Sequence, residues 1–224
     1  MYALAAAEEA RIRPLDESFP GSLDSKRGRR HARRDDRGEQ VADDHVLETE
    51  RLRLVPFGVD DVDALHELWT DPAVRRYLWD DEVIPRSTAE EIVTASTRDF
   101  ARSGYGFWSL WSRDRVGALM GFCGFRRFEE TDTPELLYGI LPAHWGRGYV
   151  TEAGHAVIRH GFERCGFTRI LAATDTPNQS SVQVMQRLGM VFEARREFHG
   201  LDTVFYTLSP EDYADHLALA TPTP

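Results

Sequence analysis

The glycine turn at residues 146–148 limits most strongly what this chain can fold into. It lies in LPAHWGRGYVTEAGHAVIRHGFERCGF, residues 141–167, between an apolar run typical of a strand end and a long amphipathic pattern. Helical spacing places Val150, Val157 and Ile158 on one face of that pattern, which predicts a helix. The segment TRILAATD follows and predicts a short buried strand. The chain therefore contains one strand-helix-strand crossover with a glycine turn at the helix start.

The segments around this crossover predict a mixed α/β (α+β) domain. A first strand near Leu52 and Leu54 precedes two helices, and a capping box of Ser87 and Glu90 predicts the start of the second. The runs YGFWSLWSRD, RVGALMGFCGFRRF and PELLYGIL predict three antiparallel strands before the turn. A short helix ending at Gly189 and a closing hairpin follow TRILAATD. This order predicts a sheet of about seven strands.

Three kinds of phosphate site place glycines in front of a helix. A P-loop requires Gly-Lys-Ser/Thr, whereas Tyr149 follows Gly148 here. A dinucleotide fingerprint requires a third glycine where this chain has Thr151, and too few residues follow to complete such a sheet. A cradle for the diphosphate of an acyl-coenzyme A requires only close backbone approach and a helix start. The turn therefore favours the acyl-coenzyme A interpretation.

Three further segments, in the right order and spacing, carry a family resemblance. They are ETERLRL, ELLYGILPAHWGRGYVTEA and TDTPNQSSVQVMQRLGMVFEA. From about Leu47 to Tyr213 the chain resembles the GCN5-related N-acetyltransferases (GNAT), and in particular the RimJ/RimL-type branch that acetylates protein N termini, ribosomal proteins included. The acetyl-CoA signature of the family is Q/R-x-x-G-x-G/A. Here Trp145 and Val150 stand in its first and last places, and the central Gly148 is kept.

The resemblance implies the GNAT fold, a central and mostly antiparallel twisted sheet with helices on both faces and a splayed central strand pair. It also implies acetyl-CoA as cosubstrate, with no metal, and a pantetheine arm along the backbone near Ile140 and Leu141. The cofactor-binding residues that it implies are Ile140, Leu141, Trp145, Gly146, Arg147, Gly148, Tyr149, Val150, Asn178 and Ser181.

Glu135 and Ser181 are the catalytic residues that the resemblance implies. Glu135 would take the proton of the acceptor amine, or else anchor the cationic acceptor or lie solvated at a strand edge. Asn178 would bind the pantetheine amide and Ser181 the thiol, but both residue types also cap helices. Tyr138 is interpreted as a packing residue. Other branches of the family carry an acidic tyrosine further along the chain, but VQVMQRLGM contains none, so the acid role falls to Ser181 or to no residue. The histidines and cysteines show no metal-ligand spacing.

The expected reaction is direct acetyl transfer to a primary amine, most simply a protein or peptide N-terminal α-amine. A small amine, amino acid or aminoglycoside-like antibiotic stays open as acceptor, as does a non-catalytic acyl-CoA sensor with the same fold. The formal net charge of -10 argues against specific nucleic-acid binding and favours a cationic partner. The sequence leaves open a monomer or a homodimer.

Composition changes near residue 46. Residues 1–46 are rich in charge and lack periodic apolar positions, which predicts a disordered tail ahead of a domain at 47–214 and a short C-terminal tail at 215–224. The basic cluster from Lys26 to Arg37 is a solvated tail in one interpretation and a polyanion tether in the other. Two cysteines and no long apolar run predict a cytoplasmic protein without a membrane span.

Overall fold

The computed structural model describes residues 45–114 and 117–220. Eight strands form one sheet in the order β1-β2-β3-β4-β5-β6-β8-β7. Every neighbouring pair is antiparallel except β5 and β6, which are parallel and are joined through a helix. The strands are β1 (Leu47–Glu48), β2 (Leu52–Pro56), β3 (Phe107–Ser112), β4 (Gly121–Arg127), β5 (Pro134–Ile140), β6 (Ile170–Asp175), β7 (Val191–Phe198) and β8 (Leu201–Leu208).

Helices cover both faces of the sheet. The helices are α1 (Val62–Thr70), α2 (Pro72–Leu78), α3 (Arg86–Ser103), α4 (Tyr149–Glu163), α5 (Gln179–Arg187) and α6 (Pro210–Ala220). One apolar cluster joins α1, α2 and α3 to one face, with Trp69 and Phe122 fully buried. A second cluster joins α4, α5 and α6 to the other face, with Ile158 and Met185 fully buried. The mixed α/β fold with helices on both faces is thus confirmed.

The parallel pair β5 and β6 separates almost at once. Glu135 and Leu171 are the one position at which the two strands pair in the part of the chain that the structure describes. By contrast, β5 pairs with β4 at seven positions, from Gly121–Ile140 to Arg127–Pro134. The predicted splay of the central strands is therefore present, and it opens towards Ile140, the glycine turn and the start of α4.

The first strand and the helix starts differ from the sequence predictions. Leu47 and Glu48 form an additional edge strand, which gives eight strands instead of about seven. The predicted capping box is wrong, because Pro85 is the N-cap of α3 and Ser87 lies inside the helix. Arg86 instead ties the first turn to Asp63 and Glu90 through ion pairs.

Both predicted tails reach into folded structure at their inner ends. His45, assigned to the N-terminal tail, packs its ring against Phe100, and its carbonyl accepts a hydrogen bond of 2.7 Å from Trp108 Nε1. Residues 215–220, assigned to the C-terminal tail, continue α6, where the His216 ring bonds the Arg187 carbonyl. Histidines make these contacts, so a search for regularly spaced apolar residues does not detect them. The remainder of both predicted tails, including the basic cluster, lies outside the described residues.

Candidate functional site

The glycine turn has a backbone that L-residues with side chains rarely adopt. Gly146 has φ +70° and Gly148 has φ +76°, both in the left-handed region. A Cβ built at Gly146 would meet no atom within 4 Å, and one at Gly148 would meet only Arg51 Nη2 at 3.6 Å. The turn is exposed from Trp145 to Gly148. The two glycines are therefore required by backbone conformation, and open space lies beside the first of them.

The N–H groups of the turn face no acceptor within the described part of the chain. The amides of residues 146–151 donate no hydrogen bond there, whereas the Glu152 amide closes the first helical bond to the Gly148 carbonyl. The first amides of a helix lack intrahelical partners and carry partial positive charge. Tyr149 and Val150 form this first turn of α4. The predicted residues of the turn thus form a set of free donors suited to a diphosphate.

Trp145 contacts the backbone at the end of β5. Its Nε1 donates a hydrogen bond of 2.8 Å to the carbonyl of Ile140, while its ring is 53% exposed. The Leu141 amide bonds the Met120 carbonyl on the β4 side. Backbone groups alternate in direction along a strand, so those of Ile140 point into the splay. One of the two backbone groups predicted to line the pantetheine arm is consequently already engaged by Trp145.

Asn178 and Ser181 lie together at the start of α5, across the splay from β5. Asn178 is the N-cap, and its Oδ1 accepts a hydrogen bond of 3.3 Å from the Ser181 amide. Its Nδ2 donates to Thr174 Oγ1 at 3.0 Å. Both functional atoms of Asn178 thus have partners, and the bond through Oδ1 is the helix cap of the capping interpretation. The Ser181 hydroxyl points the other way, towards β5.

Tyr138 of β5 is the partner of Ser181, which the sequence analysis missed. The two hydroxyl oxygens are 2.9 Å apart, and the Tyr138 hydroxyl also lies 3.1 Å from the Ser181 carbonyl. Burial raises the pKa of Tyr138 well above its usual value, although the Ser181 contact opposes the rise. Tyr138 therefore stays protonated and remains a hydrogen-bond donor. No spacing in the sequence links positions 43 residues apart.

Glu135 is buried at the root of the splay. Its side chain is 4% exposed, and Arg126 Nε on β4 donates to Glu135 Oε2 at 2.7 Å. Burial raises the pKa of Glu135, and the Arg126 guanidinium opposes this by favouring the charged form. The alternative of a solvated edge residue is wrong, because Glu135 is buried and its position pairs with strands on both sides.

The two predicted catalytic residues occupy opposite faces of the sheet. Side chains alternate along β5, so Glu135 shares a face with Leu137, and Tyr138 shares the other face with Leu136. Leu137 packs in the cluster beneath α1 to α3, and Leu136 in the cluster beneath α4 to α6. The splay between β5 and β6 is the opening that connects these two faces. The structure does not bring Glu135 and Ser181 into direct contact.

An open groove lies on the same face of the sheet as Glu135. Its volume is about 530 Å³, and Glu129, Glu130, Arg196, Glu197, Phe198 and His199 line it. Phe198 packs in the same small cluster as Leu171, which pairs with Glu135. At the rim, Glu129 contacts the His199 ring and an ion pair joins Glu130 to Arg196. The groove carries three carboxylates against one guanidinium, an acidic balance.

Cys123 is fully buried on β4, and burial raises the pKa of its thiol well above the usual range, so it is no thiolate nucleophile. No helix among the described residues is long and apolar enough to cross a membrane. Within the same residues, no group of three or more His, Cys, Asp or Glu could hold a metal ion.

A parallel strand pair that splays in front of a glycine turn and a helix start is the arrangement that the sequence resemblance to the GNAT acyltransferases implies. Comparison with known proteins agrees, because residues 51–191 match the model of the acetyltransferase (GNAT) domain. The chain belongs to this family and is an N-acetyltransferase.

This chain covers nearly the whole length of three similar proteins. An uncharacterized N-acetyltransferase, p20, of Bacillus licheniformis is 26% identical over 176 residues, which are 75% of this chain and 98% of that protein. A GNAT-family acetyltransferase from Bordetella pertussis superposes with a TM-score of 0.63 at 24% identity, over 72% of this chain and 98% of that one. RimL, a ribosomal L7/L12 alpha-N-protein acetyltransferase solved with coenzyme A, superposes with a TM-score of 0.61 at 19% identity, over 73% and 97%.

Proposed function

We propose that this N-acetyltransferase transfers the acetyl group of acetyl-CoA directly to the N-terminal α-amine of a protein or peptide. The observation that carries the proposal is the open acidic groove on the face of the sheet that also holds the buried carboxyl of Glu135. An extended peptide fits an open groove, whereas small-molecule sites enclose most of the ligand surface. The acidic balance of the groove attracts a cationic amine. The structural neighbour RimL is named as an acetyltransferase of protein N termini, which supports the same acceptor class.

The acetyl-CoA site in this proposal lies on the glycine turn. The amides of residues 146–150 would bind the diphosphate, with Gly146 and Gly148 allowing close approach. Arg147 would lie on the phosphate side of the turn. The pantetheine arm would enter the splay along Ile140 and Leu141 and pass the α5 cap at Asn178. When bound, the coenzyme supplies an activated acetyl thioester.

The proposed chemistry needs one proton acceptor and one hydrogen-bond donor. The amine nitrogen bonds to the acetyl carbon, the carbon–sulfur bond breaks, and a proton leaves the amine for Glu135, directly or through water. Ser181 donates a hydrogen bond to the departing sulfur, and Tyr138 orients the Ser181 hydroxyl. An α-amine with a pKa of about 7.7–8.0 is partly neutral near pH 7, so a carboxyl with a raised pKa suffices as base.

A thiol-release assay with matched acceptors tests the proposal. We expect acetyl-CoA turnover with peptides that carry a free α-amine and none with the same peptides blocked at the N terminus, even when they contain lysine. Amino acids, polyamines and an aminoglycoside serve as small-molecule acceptors in the same assay. A small amine with a higher kcat/KM than every peptide would overturn the acceptor assignment. Binding of acetyl-CoA without thiol release on any amine would indicate a sensor.

A further inference from the structure

Arg51, in the turn between β1 and β2, reaches across to the glycine turn. Its Nε donates to Glu152 Oε2 at 2.6 Å, and its backbone amide donates to Glu152 Oε1 at 2.9 Å. Its Nη1 donates to the carbonyl of Arg147 at 2.9 Å, and its guanidinium carbon lies 4.5 Å from the centre of the Tyr149 ring. One side chain thus joins the first turn of α4 to the loop that precedes it.

Glu152 accepts hydrogen bonds from both Arg51 and Thr49. Besides the two bonds from Arg51, its Oε1 accepts a hydrogen bond of 2.5 Å from Thr49 Oγ1. Burial raises the pKa of Glu152, but the bonds from Thr49 and Arg51 together outweigh burial and lower it. Glu152 is therefore ionised at neutral pH. Its side chain is 17% exposed, which leaves Arg51 as the charge that balances it.

The contact with the Arg147 carbonyl sets the direction of the next amide. The C=O and N–H groups of a trans peptide unit point in opposite directions, and the structure contains no cis peptide among the described residues. Arg51 holds the Arg147 carbonyl on its own side of the loop. The Gly148 N–H consequently points to the opposite side, where it has no acceptor among the described residues.

Arg51 also neutralises the negative charge of Glu152 near the proposed diphosphate site. Glu152 places a carboxylate in the first turn of the helix whose free amides would receive a diphosphate. An uncompensated carboxylate there would repel an anionic ligand, since like charges at close range disfavour each other. Arg51 Nη2 lies 3.6 Å from the point where a Gly148 Cβ would stand, so the compensating charge lies at the turn itself.

We propose that Arg51 is a positioning residue for the diphosphate of acetyl-CoA, which turns the Gly148 amide towards the ligand and neutralises Glu152. The inference rests on the proposed coenzyme site. An experiment can distinguish this role of Arg51 from a purely structural one. A purely structural residue would affect the binding of every ligand of the site, whereas Arg51 should affect only ligands that carry phosphate.

The test measures dissociation constants by calorimetry for acetyl-CoA and for S-acetylpantetheine, which lacks phosphate. Arg51→Ala should raise the Kd for acetyl-CoA roughly tenfold to a hundredfold, the size of one lost charge-assisted hydrogen bond, and leave the Kd for S-acetylpantetheine unchanged. Arg51→Lys, which keeps the charge and loses the fork, should fall between and serves if the alanine variant does not fold. Arg53→Ala removes the exposed ion pair to Glu48 and should leave both constants unchanged.

A double variant tests whether the effect of Arg51 depends on the charge of Glu152. Glu152→Gln alone should have a smaller effect than Arg51→Ala, and adding it to Arg51→Ala should recover part of the lost affinity, because the unpaired carboxylate is then gone. A double variant that binds acetyl-CoA as weakly as Arg51→Ala, or more weakly, would overturn the inference, as would an Arg51→Ala protein with wild-type affinity. A wild-type protein that binds neither probe would overturn the proposed coenzyme site itself.

Discussion

Glu135 combines a nearly complete loss of solvent with an ion pair to Arg126. Its raised pKa means that the carboxyl takes up protons at a higher pH than an exposed glutamate does. The free energy of unfolding therefore loses the contribution of this carboxyl as pH rises above its unfolded pKa near 4.3, because the unfolded chain ionises first. A base of this kind works only where it is deprotonated, so activity should fall on the acidic side at a higher pH than for an exposed carboxyl.

Glu135→Gln tests whether this carboxyl is the base. We expect kcat to fall roughly a hundredfold to ten-thousandfold near neutral pH and the defect to shrink as pH rises past the amine pKa near 8, because the acceptor then loses its proton to solvent. A pH profile of kcat and KM measures this, with Glu91→Gln on the exposed side of α3 as the control. An unchanged kcat with a raised acceptor KM would instead make Glu135 an anchor for the cationic acceptor.

Ser181 and Tyr138 should behave as one unit. Ser181→Ala should lower kcat roughly tenfold to a hundredfold with little change in acetyl-CoA affinity, since the bond to sulfur strengthens as the thiolate departs. Tyr138→Phe should lower kcat less, and the double variant should match Ser181→Ala alone. Single-turnover rates and Kd values measure this, with the exposed neighbour Ser180→Ala as control. Additive losses in the double variant would show that Tyr138 does not act through Ser181.

The residues of the site differ in how far the sequence could predict them. Gly146 and Gly148 are set by local backbone conformation, and a local motif reports them. Arg51 and Glu152 meet across 101 positions, and Tyr138 and Ser181 across 43. Only the folded sheet creates those pairs. The burial of Glu135 likewise depends on its pairing with strands on both sides.

Among the elements, α6 is held by a small cluster of titratable groups. His155 of α4 and His216 of α6 stack their rings with centres 6.1 Å apart, and His155 Nδ1 lies 3.1 Å from the Tyr213 hydroxyl. Burial lowers the pKa of His155, and the charges of His216 and Arg159 add to this. Glu163 of α4 also acts on Tyr213, and α5 contributes the Arg187 carbonyl, which bonds the His216 ring.

The sign of the pH dependence of α6 packing follows from this lowered pKa. The unfolded chain binds the His155 proton near pH 6.5 and the folded chain only at lower pH, so the free energy of unfolding falls as pH drops below about 6.5. His155→Gln should remove part of the drop in Tm between pH 7.5 and 5.5, and Tyr213→Phe, which keeps both histidines, should retain it. Thermal melts across this range measure it. An identical pH slope in wild type and His155→Gln would contradict the role of His155.

Elements in which apolar residues recur at regular spacing over many positions could be predicted from the sequence. Elements or helix ends that depend on single contacts could not. The helices α1, α3, α4 and α5 and the strands from β2 to β8 follow the predicted order. The two-residue strand β1 is too short to show any period. The start of α3 was misplaced because Ser87 and Glu90 match a capping motif, while ion pairs of Arg86 with residues on two helices hold the actual first turn.

At the scale of the whole molecule, the N-terminal boundary of the domain is testable by truncation. Removing residues 1–44 should leave Tm and acetyl-CoA affinity nearly unchanged, because their composition offers little apolar surface to bury. Removing residues 1–46 should lower Tm, since the His45 carbonyl and ring then leave Trp108 and Phe100. Thermal melts and calorimetry measure both. A clear loss of Tm in the shorter truncation would show that the segment before His45 contributes to the fold.

The single backbone pairing between β5 and β6 divides the sheet into two leaves, one of five strands and one of three. The amides of Tyr138 and Ile140 face the opening between them and have no strand partner there. Such amides exchange their hydrogens with solvent after small local fluctuations, whereas the amides of β4 exchange only after larger unfolding events. Hydrogen exchange should therefore show two separately protected cores in the free protein. They should merge into one when a ligand arm fills the opening and completes the sheet.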